Sequence, residues 1–434
     1  MKKIIILLVL FNFLSCSNHD DFSNEEPKND DNTPEVSFKE TFDNQIFEPN
    51  IDTQQVIEII DAVEAVDGYI LFTREAFQNG SKSNLKVYKF DFQFNLKWSI
   101  LLNDSTESIP TFGGFFESNG EYVAVFSQSV SRGQYFNGEV KAVKFNESGA
   151  VIWNRKYYNF RNNNREEVYF SHDMIIPFVN HNGEKRFIIQ SDSINNSFLS
   201  DKYFNELLID NEFNVLEEKV IPYPQVGVYP FTQFLYDNLG NKYNYGANLF
   251  VIYFYGLPIY TRNALLMKYN KDNEVIYEKE YGTDPIDERF DKILIDNDKI
   301  VAIGRYGKES NNFFLRRSIF QLDKNSGSVI WHSLTDSHLL NDELFESQTT
   351  IEYYGKDLIF DNDRNYLALF HESGGVTTLI KINKEGSFLW KYTNDKDTNG
   401  NFFQPSKVFT KDEEYIIFGV SNYNKLWVKK IKIE

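Results

Sequence analysis

Along most of the chain, stretches of alternating apolar and polar residues are separated by short turns opened by Asp or Asn. In one recurring string, such a turn is followed seven or eight residues later by a large aromatic: Asp91 to Trp98, Asn146 to Trp153, Asn270 to Tyr277, Asp323 to Trp331 and Asn383 to Trp390. Asp210 to Glu217 keeps the frame but puts a charge in the aromatic slot. This is β-hairpin chemistry: the Asp or Asn side chain caps its own turn, Gly or Asn takes positive φ, and alternating apolar residues follow. A second strand lies upstream of each turn, and its first large residues are Tyr69, Tyr122, Phe187, Tyr243, Ile300, Tyr366 and Tyr415, spaced by 49–66 residues. That gives seven copies against six hairpins. The mismatch predicts that the last copy, running through residues 426–433, lacks an outer strand and takes it from residues 36–42, just after the N-terminal segment. The expected fold is all-β: a single seven-bladed β-propeller of four-stranded blades over residues 36–434, closed by an N-terminal strand completing the last blade. Closure removes the free sheet edges of an open array. Two or three β-sandwiches in series do not explain why the period continues without a linker.

The hairpin and its tryptophan resemble the quinoprotein-type, or PQQ-like, β-propeller repeat, most closely at residues 323–331, with Ser where that family often has Thr. The resemblance spans residues 36–434. It implies that the aromatic of each copy docks one blade on the next, and assigns this structural role to Phe38, Trp98, Trp153, Tyr277, Trp331 and Trp390. It speaks for the fold and weakly for function. Quinoprotein dehydrogenases often carry a vicinal cysteine pair, which a chain with one cysteine lacks, so no quinone cofactor is expected.

The N-terminus reads as an address. Lys2 and Lys3 precede an apolar run too short to span a bilayer, as in a signal peptide over residues 1–15. Directly behind it, Phe13-Leu14-Ser15-Cys16 resembles the lipobox of bacterial lipoproteins, with Phe13 where Leu is usual. The resemblance implies cleavage before Cys16 and its lipidation. Residues 17–35 hold seven acids against Lys28 and are too polar to bury a core. Residues 16–35 are therefore expected to be a lipidated, acidic tether reaching roughly 25 Å. The acids behind the cysteine resemble the signal that sends some Gram-negative lipoproteins to the outer face of the outer membrane.

Composition narrows the chemistry. With 41% hydrophobic and 16% aromatic residues, the 434-residue chain can bury a large core. A net charge of −18 disfavours nucleic acid and anionic lipid as partners, leaving the lipid anchor as the expected membrane contact. The lone Cys16 excludes an intramolecular disulfide and any multi-cysteine metal site. A Gly-x-Ser-x-Gly elbow is absent, and the six histidines form no metal-spaced pair. Asp395, Asp397 and Asn399 alternate before Gly400 and are the candidate Ca²⁺ ligands, although Ser406 stands where an EF-hand loop has Glu. Asp287 and Glu288 are candidates to join an acid/base pair with a carboxylate from another blade, as in propeller glycosidases.

What remains is a surface. The connections between the second and third strands emerge on one propeller face and are rich in aromatics and Arg: Arg132, Tyr135, Phe136, Tyr255, Tyr260, Arg305, Tyr306 and Tyr423. These residues are the expected ligand-binding rim, and rings beside amides suit a glycan or a protein partner. The expected function is a non-catalytic binding module. The alternatives are a periplasm-facing assembly scaffold, by analogy with the outer-membrane barrel-assembly lipoprotein that carries such a propeller, and a glycan-cleaving propeller enzyme. Cys16→Ser is expected to move the protein from the membrane pellet to the soluble fraction after cell breakage; unchanged membrane association refutes lipidation.

Overall fold

The computed structural model describes residues 28–29, 36–48, 55–77, 83–103, 110–132, 135–157, 168–169, 175–179, 182–193, 201–222, 231–254, 257–272, 274–282, 288–307, 315–335, 353–372, 376–394 and 401–434. Strands β1 (Lys28–Asn29) and β2 (Phe38–Phe47) precede blade 1, which is β3 (Gln55–Ala65), β4 (Gly68–Phe77), β5 (Ser83–Asp91) and β6 (Leu96–Leu101). Blade 2 is β7 (Pro110–Ser118), β8 (Glu121–Arg132), β9 (Tyr135–Asn146) and β10 (Val151–Tyr157). In blade 3 the innermost strand is broken into β11 (Val168–Tyr169) and β12 (Ile175–Val179), both beside β13 (Lys185–Ser193), followed by β14 (Asp201–Ile209) and β15 (Val215–Pro222). Blade 4 is β16 (Phe231–Tyr236), β17 (Lys242–Phe254), β18 (Leu257–Tyr269) and β19 (Val275–Tyr281). Blade 5 is β20 (Arg289–Asp296), β21 (Lys299–Gly307), β22 (Leu315–Asp323) and β23 (Val329–Thr335). Blade 6 is β24 (Tyr353–Phe360), β25 (Tyr366–Glu372), β26 (Thr377–Ile382) and β27 (Phe388–Asn394). Blade 7 is β28 (Phe403–Lys411), β29 (Glu414–Ser421) and β30 (Lys425–Ile433), completed on its outer edge by β2. The chain is a seven-bladed β-propeller, closed by its N-terminal strand as the repeat count requires.

The core lies between blades. The second and third strands of blade 6 are buried at every position, because neighbouring blades cover both sheet faces. Outer strands such as β10 alternate between exposed and covered positions, since their far face meets water. Clusters of buried side chains join blades 1 and 7, 1 and 2, 2 and 3, 4 and 5, 5 and 6, and 6 and 7.

Five of the interfaces repeat one local device. In the turn between the third and fourth strands, the first residue caps the backbone: Asp323 Oδ1 accepts from the Asn325 and Ser326 N–H groups at 3.0 and 2.8 Å, and Asn383 Oδ1 from Glu385 and Ser387 at 3.1 and 2.8 Å. Hydrogen bonds from Ser326 hold the Asp323 carboxyl below the usual carboxylate pKa. A left-handed residue follows in the turn: Gly149, Gly327 and Gly386 in blades 2, 5 and 6, but Phe94 and Phe213 in blades 1 and 3. The aromatic of the preceding blade sits against this residue. A Cβ on Gly386 would lie 2.6 Å from the Trp331 ring, and one on Gly149 2.6 Å from Trp98. The indole N–H of Trp98 also donates to the Glu147 carbonyl at 2.9 Å. Trp153 packs instead on the Phe213 ring, with centroids 5.3 Å apart.

Two expectations need correction. Phe38 does not occupy the position of Trp98: Trp98 pairs with Lys89 of β5, and the residue at the same register in blade 7 is Phe42, opposite Lys430. Phe42 packs on Phe94 of blade 1 at 4.9 Å, whereas Phe38 receives Trp390 of blade 6 edge-on at 5.2 Å. The shift arises because blade 7 has no turn between its third and fourth strands from which to count. Lys28 and Asn29, within the stretch expected to be a free tether, pair in parallel with Ser333 and Leu334 on the outer edge of blade 5. Glu217, which breaks the aromatic series, is exposed.

Trp331→Ala is expected to lower unfolding stability by about 3–5 kcal/mol through the cavity it leaves. Gly386→Ala, which forces a Cβ into that ring at φ 81°, is expected to cost more than about 1 kcal/mol. Gly183→Ala is the control, being left-handed but without a neighbour within 4 Å. Urea midpoints that do not separate Gly386→Ala from Gly183→Ala refute the interlock.

Candidate functional site

The innermost strands line the central channel, and five of them carry a β-bulge at the same level: Ile59/Asp61, Phe112/Gly114, Phe290/Lys292, Gly355/Asp357 and Pro405/Lys407. A bulge re-aims the residue that follows it. On four consecutive blades that residue is charged and the sign alternates: Lys292 on blade 5, Asp357 on blade 6, Lys407 on blade 7 and Asp61 on blade 1. On blade 2 it is Gly114, where a Cβ would lie 2.8 Å from the Pro177 ring of blade 3. The charge is therefore confined to one side of the ring.

Lys407 Nζ lies 2.8 Å from Asp61 Oδ1 and 3.6 Å from Asp357 Oδ1, while Asp357 Oδ2 accepts from the Val408 N–H at 3.1 Å. Burial opposes the Lys407 charge, but Asp357 and Asp61 outweigh it and hold the ammonium pKa above the usual lysine value. Lys292 fares differently. Burial and repulsion from Lys407 push its pKa down, against the pull of Asp357, Asp61 and Asp291.

Toward the face that carries the connections between second and third strands, Arg289, Arg305 and Arg317 stand directly opposite one another across β20, β21 and β22. Like charges so placed repel unless each is compensated. Arg289 Nε reaches Asp291 Oδ1 at 2.5 Å, and Arg317 pairs with Glu372 of blade 6. Asp291 Oδ2 accepts from the Gly355 N–H of blade 6 at 2.7 Å. Burial raises the Asp291 pKa, while Arg289, the Gly355 N–H and Arg305 pull it down. On blade 6, Tyr354 carries two cations against its ring, Arg289 at 5.2 Å and Lys356 at 5.3 Å. His371 lies opposite Tyr354 in the sheet and is buried; burial and nearby Lys356 lower its pKa to about 3, so it is neutral at pH 7.

Glycoside hydrolysis needs two carboxylates flanking the bond, one of them able to give up a proton. Here Asp61 and Asp357 share Lys407, Asp291 holds Arg289, Glu372 holds Arg317, and Glu58 holds Arg74 at 2.7 Å. Each of these carboxylates is thus tied to a cation of the chain itself. A cavity of 360 Å³ on the opposite face, between blades 6 and 7, is lined by Asp361, Asp363, Lys381, Glu413, Tyr415 and Lys432 among others. Its lysines are tied to its own acids, Lys381 to Asp361 at 2.5 Å and Lys432 to Glu413 at 2.9 Å.

The expected rim residues fare unequally. Tyr423 is exposed at the turn between β29 and β30, with φ 62°, and its carbonyl accepts from the Ile57 N–H at 2.6 Å. Arg305 is not a rim residue: it is 3% exposed within the arginine row. Arg132 and Tyr135 face each other at the tip of the β8–β9 hairpin, with Phe136 next along β9. Tyr260 pairs with Val251 in the β17–β18 hairpin, and Tyr306 with Arg316 in blade 5. Tyr255, Asp287 and the candidate Ca²⁺ ligands Asp395, Asp397 and Asn399 lie outside the described residues, as does Cys16. No group of three or more His, Cys, Asp or Glu residues able to hold a metal occurs among the described residues. Glu288 is fully buried against Gly282. The bulge charges escaped sequence reasoning, although each leaves a trace: Asp61, Lys292, Asp357 and Lys407 stand eight or nine residues before the landmark of the following strand.

No protein-family model matches the chain, and no curated protein does. Among solved structures, polysaccharide lyase Uly1 is similar at 8% identity, over 86% of this chain and 90% of that chain, with a TM-score of 0.48. Drosophila Semaphorin 2a matches at 9% identity, over 95% and 76%, with a TM-score of 0.44. The β-propeller domain of the trilobed protease from Pyrococcus furiosus matches at 9% identity, over 87% and 94%, with a TM-score of 0.42. At these values the likeness is one of architecture alone.

Lys407→Met leaves Asp61 and Asp357 without their shared cation and is expected to cost about 3 kcal/mol of stability. Urea unfolding checks this, and a midpoint equal to wild type refutes the ring as a structural clamp.

Proposed function

We propose that the chain is exported, lipidated at Cys16 and displayed at the outer membrane, facing the cell exterior, where its propeller acts as a non-catalytic binding module for a glycan or protein ligand. The Ser15-Cys16 junction, the acids behind it and the PQQ-like hairpins support the anchor and the scaffold. The observation that carries the binding role is the uneven shape of one face. In blade 4, Asn248–Phe254 pair with Leu257–Asn263 beyond the ends of β16 and β19, forming a two-stranded ribbon about 20 Å long. Blade 2 raises a shorter ribbon ending at Arg132 and Tyr135, while pairing in blades 6 and 7 stops at Glu372 and Ser421. The charged channel mouth lies on this low side, so a ligand resting on it has the ribbon of blade 4 as a wall.

Thermal melting of the soluble chain beginning at Ser17, against a polysaccharide panel, tests the reading. A ligand at 100 times its Kd is expected to stabilise the fold by about 2.7 kcal/mol. A shift with a polysaccharide supports the glycan arm; silence across the panel, with capture of a membrane protein by the intact lipoprotein, supports the protein arm. Protection of the protein from protease on intact cells refutes the outward-facing orientation.

A further inference from the structure

We propose that the channel mouth between blades 5 and 6 binds the anionic groups of an acidic polysaccharide, with Lys292 and Lys356 as the cations that receive them. This inference rests on the glycan arm of the proposed function. In a chain with 63 acids against 45 bases, a lysine finds a carboxylate easily. On the channel wall Lys407 has two, and Lys86, Lys89 and Lys429 on the third strands of blades 1 and 7 are each paired as well. Lys292 and Lys356 make no ion pair among the described residues. They lie on the adjacent innermost strands β20 and β24, at or directly after the bulge, and repel one another. Lys356 is held instead against the Tyr354 ring, with Glu58 and Asp291 near enough to attract it but neither in ion-pair contact.

A desolvated cation without a counter-ion is costly, and a bound oxyanion recovers that cost. Burial lowers the pKa of both lysines, as expected of cations waiting for an anion. Arg289 lies against the same Tyr354 ring but is paired with Asp291, which leaves the open contacts to the two lysines. His371, buried beside this cluster on β25, is neutral, and its Nδ1 has no hydrogen-bond partner, so it adds no charge to the site. Two cations on neighbouring strands suit a polymer bearing repeated negative charges. Carboxylate and sulfate share this chemistry.

The test uses the soluble chain from Ser17 and its Lys292→Met, Lys356→Met and double variants, titrated with polygalacturonate, dextran sulfate and neutral dextran. Removing an unpaired buried charge leaves the fold intact, so the melting midpoints of the variants without ligand are expected to equal or exceed wild type. Binding of an acidic polymer is expected to weaken at least tenfold in each single variant and to fall with added salt, with dextran not bound. A preference for polygalacturonate assigns carboxylate as the anion, and one for dextran sulfate assigns sulfate. Equal binding by wild type and double variant overturns the assignment while leaving the glycan reading in place, as does salt-insensitive binding of dextran. Failure of every polymer to bind wild type overturns the assignment together with the glycan arm.

Discussion

The ring holds because an aromatic side chain from one blade rests on the left-handed turn residue of the next. This contact ties a hairpin's local chemistry to the assembly of the whole. The turn needs a residue at positive φ, which favours glycine, and glycine in turn leaves room for the tryptophan. Blades 1 and 3 solve the same problem with phenylalanine, meeting ring with ring at Phe94 and Phe213. At the seam between blades 6 and 7 no such turn exists, and Phe38 from the N-terminal strand takes its place. Trp390 docks there, but its indole N–H finds no acceptor, unlike that of Trp98. The interlock thus survives closure by two distant chain segments at the loss of one hydrogen bond.

Charge is organised by a different device. The bulges of the innermost strands turn one residue per blade at a common level, and four consecutive blades use it to build an alternating ring. Asp61 and Lys292 are more than two hundred residues apart in the chain, yet they belong to the same circle. On the other side of the ring Phe178 of β12 stacks in parallel on Tyr236 of β16, with centroids 3.9 Å apart.

Much of the architecture was legible in the sequence because each blade repeats its own turn chemistry. Seven landmarks against six hairpins were enough to require a shared blade. The error at Phe38 came from aligning the closing strand by its first ring, where only strand pairing fixes the register at Phe42. The channel charges were harder to see, since an isolated Lys or Asp in an apolar strand gives no sign of the six other strands that meet it. Arg305 looked like a surface residue because arginine usually is one; its burial depends on compensation by partners on other strands and the next blade, which the linear sequence does not bring together.

The velcro strand has a mechanical meaning. β2 makes eight register pairs with β30, and Asp43 within it receives both the Trp427 indole N–H and the fully buried Lys429 ammonium. Its N-terminal end lies beside the C-terminal end of β30, with Phe38 opposite Ile433. A pull delivered through the residues before Val36 therefore drags β2 along its own axis, in shear against β30. All eight pairs share the load and must fail together, where a peeling geometry would let them open in succession. Upstream, Lys28 and Asn29 pair with the edge of blade 5 at two positions only. The propeller is built like a clasp whose tongue is the first long strand of the chain.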